Sequence, residues 1–346
     1  MKWIKKYPKA TAAIVIAILG LWFAAFQARQ ESISNATESK LTDDKRQSGT
    51  EESDFYYAQL TKKEKKVFDQ MQGRLEGLEG GVVEFLEPLN GKEYMRITTA
   101  LENEGYNYFY GFYDIPMTSE NVYVKHKNND LLTVRDDVIC NGILFLSCAE
   151  GINEAGQYAE DGTVTNLTQI EKGLSVNNAE KADAIQKTKA ETEEILSQIV
   201  NELPKEYGEK RAMDYFLKWM SENMAISKDI GEAALTFTSM DEVFEGAYSY
   251  NSLSAVTKKQ ATPLGYAKIL SELSRRAGME SHIVLGKWGK NTMFAEGYVL
   301  CETGMNGQNI YVDASGSKAS ELAGHKYMTE PEAKNHMSFV DYFNYD

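Results

Sequence analysis

The chain has 346 residues, which is room for about two domains, and 42% of them are hydrophobic, enough to build a substantial core. Its 51 acidic and 37 basic residues give a formal net charge of −14. Because nucleic acids and anionic lipid headgroups repel such a surface, the charge argues against either of them as the main partner.

The first 28 residues have the pattern of a membrane-targeting segment. Four lysines within residues 1–9 precede an uncharged run from Ala10 to Phe26. Two interpretations stay open: an uncleaved anchor with the lysines in the cytoplasm, and a signal peptide that is removed. The run is at the short end of the ~17–25 residues that cross a bilayer, and no clear cleavage site follows it, which favours the anchor.

The sequence therefore predicts a cytoplasmic basic tail (1–9) and a transmembrane helix (10–28) that makes the membrane a partner of the chain. The bulk of the chain is expected outside the cell, with secretion after cleavage as the alternative. Residues 29–53 are polar and almost free of large apolar side chains, which predicts a flexible stalk.

From residue 54 the composition becomes that of a globular domain. Apolar residues at helical spacing predict a helix that ends at Gly80 and Gly81, and a second helix is predicted over about residues 92–104. Four apolar or alternating runs follow, with turn signals between some of them. They are NYFYGFYDI, NVYVKH, LLTVRDDVI and GILFLSCA. We expect a small N-terminal α/β domain with antiparallel strands over residues 54–177.

The remainder, residues 178–346, has the pattern of a second domain. A long helix is predicted over 179–203, closed by Pro204, and another over about 205–224. Further along, Thr262 is placed to cap a helix whose first residue is Pro263. Gly278 is expected to end this helix, and residues 282–285 to form a short buried strand.

The stretch Ala261–Gly286 resembles the central helix and following strand of bacterial transglutaminase-like domains. The family has a run "C-E-G-Y-A" here, and the chain has PLGYA, with Pro263 and Leu264 in place of the Cys and Glu. The helix MDYFLKWMSENMAI resembles the family's "H-D-Y-L-V-x-N", and HKYMTEPEAKNHMSF resembles its closing region. From about residue 55 to the end, the chain thus resembles the exported transglutaminase-like proteins of Gram-positive bacteria.

This resemblance implies an α+β fold class, with a papain-like second domain behind the small N-terminal α/β domain and the N-terminal transmembrane helix. The family's reaction requires a Cys nucleophile, a His that accepts its proton and an Asp that orients the His. The matching positions here are Pro263, Phe294 and Asp313, so only the acid remains and no catalytic residues are expected. Thr262, Tyr266, Phe294 and Asp313 are candidate residues lining the cleft, and Asp313 is expected to cap a turn.

Other chemistry finds little support in the sequence. Cys140 and Cys148 either pair or stay free, and Cys301 is expected to be a small core residue. Thr262 is expected to act as a helix cap rather than as a nucleophile. Neither a metal-ligand pattern nor a cofactor motif is present, so we expect no metal and no cofactor.

The sequence thus favours a catalytically inactive transglutaminase-like protein of the cell surface that binds a peptide, protein or cell-wall ligand. Two alternatives stay open. One is an active extracellular amidase, peptidase or acyl transferase with a non-standard nucleophile, and the other is a structural component of an envelope complex.

Overall fold

The computed structural model describes residues 54–118, 123–125, 132–135, 137–147, 179–227, 250–287, 298–305, 307–315, 327–339 and 343–345. Within these parts the helices are α1 (Phe55–Ala58), α2 (Lys62–Glu76), α3 (Gly91–Asn103), a 3-10 turn (Gly105–Asn107), α4 (Ala179–Asn201), α5 (Glu209–Asn223), α6 (Ala255–Lys258), α7 (Pro263–Arg276) and α8 (Glu330–His336). The strands are β1 (Gly81–Asn90), β2 (Phe112–Pro116), β3 (Tyr123–Lys125), β4 (Leu132–Val134), β5 (Ile139–Ser147), β6 (Ala225–Ile226), β7 (Gln260–Ala261), β8 (Ser281–Lys287), β9 (Tyr298–Met305), β10 (Gln308–Val312) and β11 (Ser338–Phe339).

The predicted fold class, α+β with an N-terminal transmembrane helix, is wrong. The structure is mixed α/β: helices and strands alternate along the chain, as in β1–α3–β2 and β7–α7–β8, and β6 pairs with β7 in parallel. In the described part of the chain, no helix combines the length and the apolar character needed to cross a bilayer. Even α4, with 23 residues, carries charged side chains along its length. The predicted anchor (10–28) and stalk (29–53) lie outside the described residues.

The N-terminal half is built on a three-stranded antiparallel sheet with the strand order β1-β5-β2. Two helices, α2 and α3, pack against it, and each begins with a capping box. Thr61 and Glu64 form the box of α2, and Asn90 and Glu93 form that of α3. Strand β1 lies at the edge of the sheet, and its pairing with β5 is interrupted between Glu84 and Leu89.

The C-terminal half is built on a four-stranded antiparallel sheet with the strand order β10-β9-β8-β11. Helix α7 packs against β8 and β9, and it also contacts α4, α5 and the 3-10 turn. Because neighbours lie on every side, all residues from Gly265 to Arg275 are buried. The helix that carries the predicted site is therefore the central element of this half.

The two halves share one hydrophobic core. Tyr108 accepts a 2.9 Å hydrogen bond at its carbonyl from the N–H of Leu253, and its hydroxyl lies 3.3 Å from the Oγ of Ser271. The Tyr56 hydroxyl reaches the carbonyl of Ile283. These contacts tie the first half directly to α7 and β8. The division into domains at 54–177 and 178–346 stays a prediction.

Candidate functional site

Thr262 caps α7, as the sequence predicts. Its backbone is extended, and its Oγ1 accepts a 3.3 Å hydrogen bond from the N–H of Gly265. The same hydroxyl donates toward Tyr250 and Asn251, and the Thr262 N–H donates to the Tyr250 carbonyl at 3.0 Å. Among these partners none is a base that would take a proton from the hydroxyl, so this arrangement holds the helix start and does not activate a nucleophile.

Pro263 occupies the first turn of α7 and is exposed to solvent. In the transglutaminase-like enzymes that this stretch resembles, a thiol stands at the corresponding position, where the partial positive charge of the helix N-terminus favours a thiolate. Proline fits the helix start because its missing N–H has no partner there. The position is therefore accessible, but it carries no reactive group.

Gly265 lies against the chain segment that precedes α6. A Cβ at this position would meet the Tyr250 carbonyl oxygen well inside van der Waals contact, and it would also approach the Ala261 side chain. Only glycine allows this separation, because it has no side chain. The start of α7 is thus packed tightly against residues 250–251, which also hold the Thr262 hydroxyl.

Tyr266 lies one turn into α7 with its side chain almost fully buried, at 1% exposure. Its hydroxyl is buried and has no hydrogen-bond partner among the described residues, and burial raises the pKa of this phenol to about 12. A side chain in a helix leans toward the helix N-terminus, so the ring lies over the turn that contains Thr262. Whether Tyr266 lines a cleft stays a prediction.

Asp313 immediately follows β10 and is buried. Its Oδ1 accepts hydrogen bonds from the Ser315 N–H at 3.0 Å and from the Ser315 hydroxyl at 2.7 Å. This is the turn-capping arrangement that the sequence favours for this aspartate. The Asp313 carboxyl is therefore hydrogen-bonded within its own loop.

The strand register shows how these positions are arranged on the sheet. Ile283 pairs with Cys301, and Cys301 pairs with Val312, so these three residues lie at one level. The chain reverses direction between the end of α7 and the start of β8, so α7 begins near the end of β8. The start of β9 and the end of β10 lie toward the same end of the sheet. Asp313, which follows β10, therefore lies toward the end of the sheet at which α7 begins. Phe294, the fourth candidate, lies outside the described residues.

None of the described cysteines has a solvent-accessible thiol. Cys140 and Cys301 are both free and fully buried. Burial raises the pKa of each thiol to about 11, which keeps the sulfur protonated near neutral pH. Cys301 lies within 3.2 Å of the Ser281 Oγ and behaves as a core residue. Cys148 lies outside the described residues, so its pairing with Cys140 is not described.

The described residues contain no group of His, Cys, Asp and Glu side chains that would hold a metal ion. The histidine whose surroundings are described is His282, which stacks on Phe55 with a centroid separation of 3.6 Å. Its Nε2 lies 3.3 Å from Glu302 Oε2. The expectation of no metal and no cofactor stays a prediction.

The structure also reveals buried polar groups that the sequence did not predict. Glu104 has no exposed surface, and its Oε2 accepts a 2.7 Å hydrogen bond from the Tyr57 N–H. Burial is the main reason that the pKa of Glu104 rises to about 8. Near it lies Arg275, whose guanidinium occupies the space that a Cβ of Gly105 would need and also pairs with Glu272.

Lys268, near the middle of α7, is a second such group, at 1% exposure. Burial lowers the pKa of its ammonium group, and the negative charge of Glu102 opposes this effect. These ionisable residues stand at positions that helical periodicity does not mark as buried. Lys268 is buried because α7 is enclosed on all sides, whereas Glu104, at the end of α3, is buried beneath α1. No local signal in the sequence reports either packing.

Comparisons with known proteins do not establish a family. No protein-family model matches the chain, and no curated protein does. Among solved structures there is a weak likeness to the crystal structure of a "putative protease" from Parabacteroides distasonis, with 13% sequence identity and a TM-score of 0.25. The alignment covers 58% of this chain and 37% of that chain, so this chain spans well under two thirds of the matched structure.

Proposed function

We propose that the chain is a catalytically inactive transglutaminase-like protein that acts outside the cytoplasm and binds a peptide, protein or cell-wall segment near the start of α7. The observation that carries this proposal is the chemistry of that helix start. The family's nucleophile position is Pro263, which is exposed and has no reactive group. Because this position is exposed but has no nucleophile, it can contact a ligand but cannot attack one.

Two further observations support the statement that the chain is catalytically inactive. The hydroxyl of Thr262 is engaged as a helix cap, and the carboxyl of Asp313 is engaged by Ser315. The thiols of Cys140 and Cys301 are buried, and their pKa values are raised above the ordinary range. None of these four groups has both the exposure and the activation that covalent catalysis needs.

The predicted absence of catalysis is tested by assaying the full chain for glutamine–amine transfer, amide hydrolysis and peptide cleavage. We expect no turnover above that of buffer. The reaction needs a nucleophile and a base, and removing either typically lowers the rate by several orders of magnitude. Turnover that survives Cys301→Ala and is lost in Asp313→Ala would instead support an active enzyme with a non-standard nucleophile.

The predicted ligand binding is tested by incubating the full chain with an extended-peptide library and with cell-wall fragments. We expect retention of one of these classes, and we expect Pro263→Arg to abolish it, since a long charged side chain would cover the start of α7. The matched control is Leu86→Asp, at a residue that is 86% exposed on the edge strand β1. Retention that is lost in Leu86→Asp and kept in Pro263→Arg would contradict the proposed location. Absence of retention would contradict the binding function.

A further inference from the structure

Three buried polar side chains lie where the 3-10 turn faces the C-terminal part of α7. Glu104 and Asn107 have no exposed surface, and Arg275 is 8% exposed. Each has polar atoms that make no hydrogen bond within the described part of the chain: Glu104 Oε1, both amide atoms of Asn107, and Arg275 Nε. Because nearly all buried polar atoms in folded proteins are paired, these four atoms require a partner.

The three residues are close neighbours. The Arg275 guanidinium lies so near Gly105 that a Cβ built there would be 2.5 Å from Nη1, and Gly105 directly follows Glu104. The Asn107 N–H donates to the Glu104 carbonyl at 2.8 Å, which closes the 3-10 turn. Side chains three residues apart are nearly eclipsed in such a turn, so those of Glu104 and Asn107 lie on the same side. The unpaired atoms therefore surround one small region between the two halves.

Contacts on the far side of each group hold Glu104 and Arg275 in position. Glu104 Oε2 accepts a 2.7 Å hydrogen bond from the Tyr57 N–H, which fixes the direction of Oε1. Arg275 Nη2 pairs with Glu272, and its guanidinium lies over the Tyr108 ring at 5.4 Å from the centroid. Neither group can turn toward the other without losing these contacts, so a bridging molecule is needed to pair Oε1 with Nε.

The mixture of donors and acceptors indicates the chemical class of that molecule. Arg275 Nε and Asn107 Nδ2 donate, whereas Glu104 Oε1 and Asn107 Oδ1 can accept. A metal cation binds oxygen acceptors and would lie beside the positive guanidinium, and an anion would lie beside Glu104 and Glu272. Water both donates and accepts, and a buried water makes about three hydrogen bonds to otherwise unpaired groups. The set of atoms therefore fits water.

We propose that Glu104, Asn107 and Arg275 enclose a buried hydration site, in which ordered water bridges the 3-10 turn and α7. The water completes the hydrogen bonds of the turn on one side and of the guanidinium on the other. It thus forms part of the contact between the two halves of the molecule. This inference is independent of the proposed ligand-binding function, because Arg275 lies at the opposite end of α7 from Pro263.

The site is tested first by a crystal structure of the full chain that resolves ordered water. We expect at least one water molecule within about 2.7–3.2 Å of the Asn107 amide and of Glu104 Oε1 or Arg275 Nε. Three results would overturn the proposal: a direct hydrogen bond from Asn107 to either neighbour that leaves no room for water, an ion in this place, or empty density around the four atoms.

Oxygen-17 relaxation dispersion of water tests the same site in solution, because it counts the water molecules that stay bound to the folded chain. Asn107→Leu removes both amide atoms and keeps a side chain of similar size. We expect this variant to hold fewer long-lived waters than the native chain. It should also unfold at a lower urea concentration, since Glu104 Oε1 and Arg275 Nε lose their bridge.

The matched control is Asn201→Leu, at an exposed position at the end of α4, which should change neither the number of long-lived waters nor the urea midpoint. An unchanged number of long-lived waters in Asn107→Leu would contradict the hydration site. If Asn107→Leu does not fold, the crystal structure of the native chain decides the question alone.

Discussion

The hydroxyl of Tyr56 donates a 2.5 Å hydrogen bond to the backbone carbonyl of Ile283, 227 residues further along the chain. Both groups are buried, and the Tyr56 ring also packs edge-on against Phe343, with a centroid separation of 4.8 Å. The start of the described chain is thereby joined to the sheet behind α7 and to the C-terminal end.

We expect Tyr56→Phe to lower the free energy of unfolding by about 1–2 kcal/mol, because the Ile283 carbonyl would lose its partner inside the core while the ring packing is kept. Urea denaturation at neutral pH measures the change. Tyr207→Phe is the matched control, since Tyr207 is partly exposed and its hydroxyl makes no buried hydrogen bond of this kind. The control should change stability by less than about 0.5 kcal/mol. Equal effects of the two substitutions would contradict the structural role of the Tyr56 hydroxyl.

Two glycines in helices are expected to respond oppositely to alanine. Gly265→Ala would press a Cβ against the Tyr250 carbonyl, and we expect a loss of about 1–3 kcal/mol through displacement of residues 250–251 from α7. Gly73→Ala in α2 meets no atom within 4 Å. It should stabilise the chain by about 0.5–1 kcal/mol, the usual preference of a helix interior for alanine. Thermal or urea unfolding of both variants gives the comparison, and stabilisation by Gly265→Ala would refute the close contact.

The local sequence predicts α7 well. Thr262 and Pro263 mark its first residues, and the helix reaches Arg276, two residues before Gly278, which has a positive φ of 85°. These signals work because caps and turns depend on a few neighbouring residues. The same holds for the turn at Asp313, whose side chain bonds only two residues away.

Features that depend on distant parts of the chain cannot be predicted from the local sequence. The sequence does not indicate strand β1, because Glu84, Glu87 and Pro88 interrupt its apolar pattern at the irregular part of its pairing with β5. Nor does it indicate the burial of Glu104 and Lys268, since this burial results from packing between the two halves. Periodicity within one segment reports the exposed and buried faces of that segment, but it does not report enclosure from all sides.

The cap at the start of α7 is expected to stabilise the chain through the hydroxyl of Thr262. Thr262→Ala should lower the free energy of unfolding by about 1–2 kcal/mol, because Gly265 N–H and the Asn251 side chain lose their partner. Thr262→Ser keeps an oxygen at the same position and should retain most of the stability. Urea denaturation of the two variants measures the difference. A loss in Thr262→Ser as large as that in Thr262→Ala would assign the effect to the methyl group instead.

Lys268 is expected to reduce the stability of the folded chain at neutral pH. Its pKa is lowered by burial, whereas in the unfolded chain a lysine binds its proton up to about pH 10.4. The unfolded state therefore holds more protons in the interval between the two values, and stability rises with pH across that interval. The half-buried Glu102 offsets only part of the cost of burying the ammonium group.

Replacement of Lys268 by methionine removes the buried charge and keeps a flexible side chain of similar length. We expect Lys268→Met to raise the free energy of unfolding at pH 7 by about 1–3 kcal/mol, as apolar replacement of buried ionic groups often does. The gain over the native chain should shrink as the pH rises toward about 10.4, where the lysine begins to lose its proton in the unfolded chain as well. Urea denaturation from pH 7 to pH 10 measures both effects. The control is Lys66→Met at an exposed position of α2, which should show neither. Destabilisation by Lys268→Met at every pH would mean that the buried ammonium is held by interactions stronger than that with Glu102.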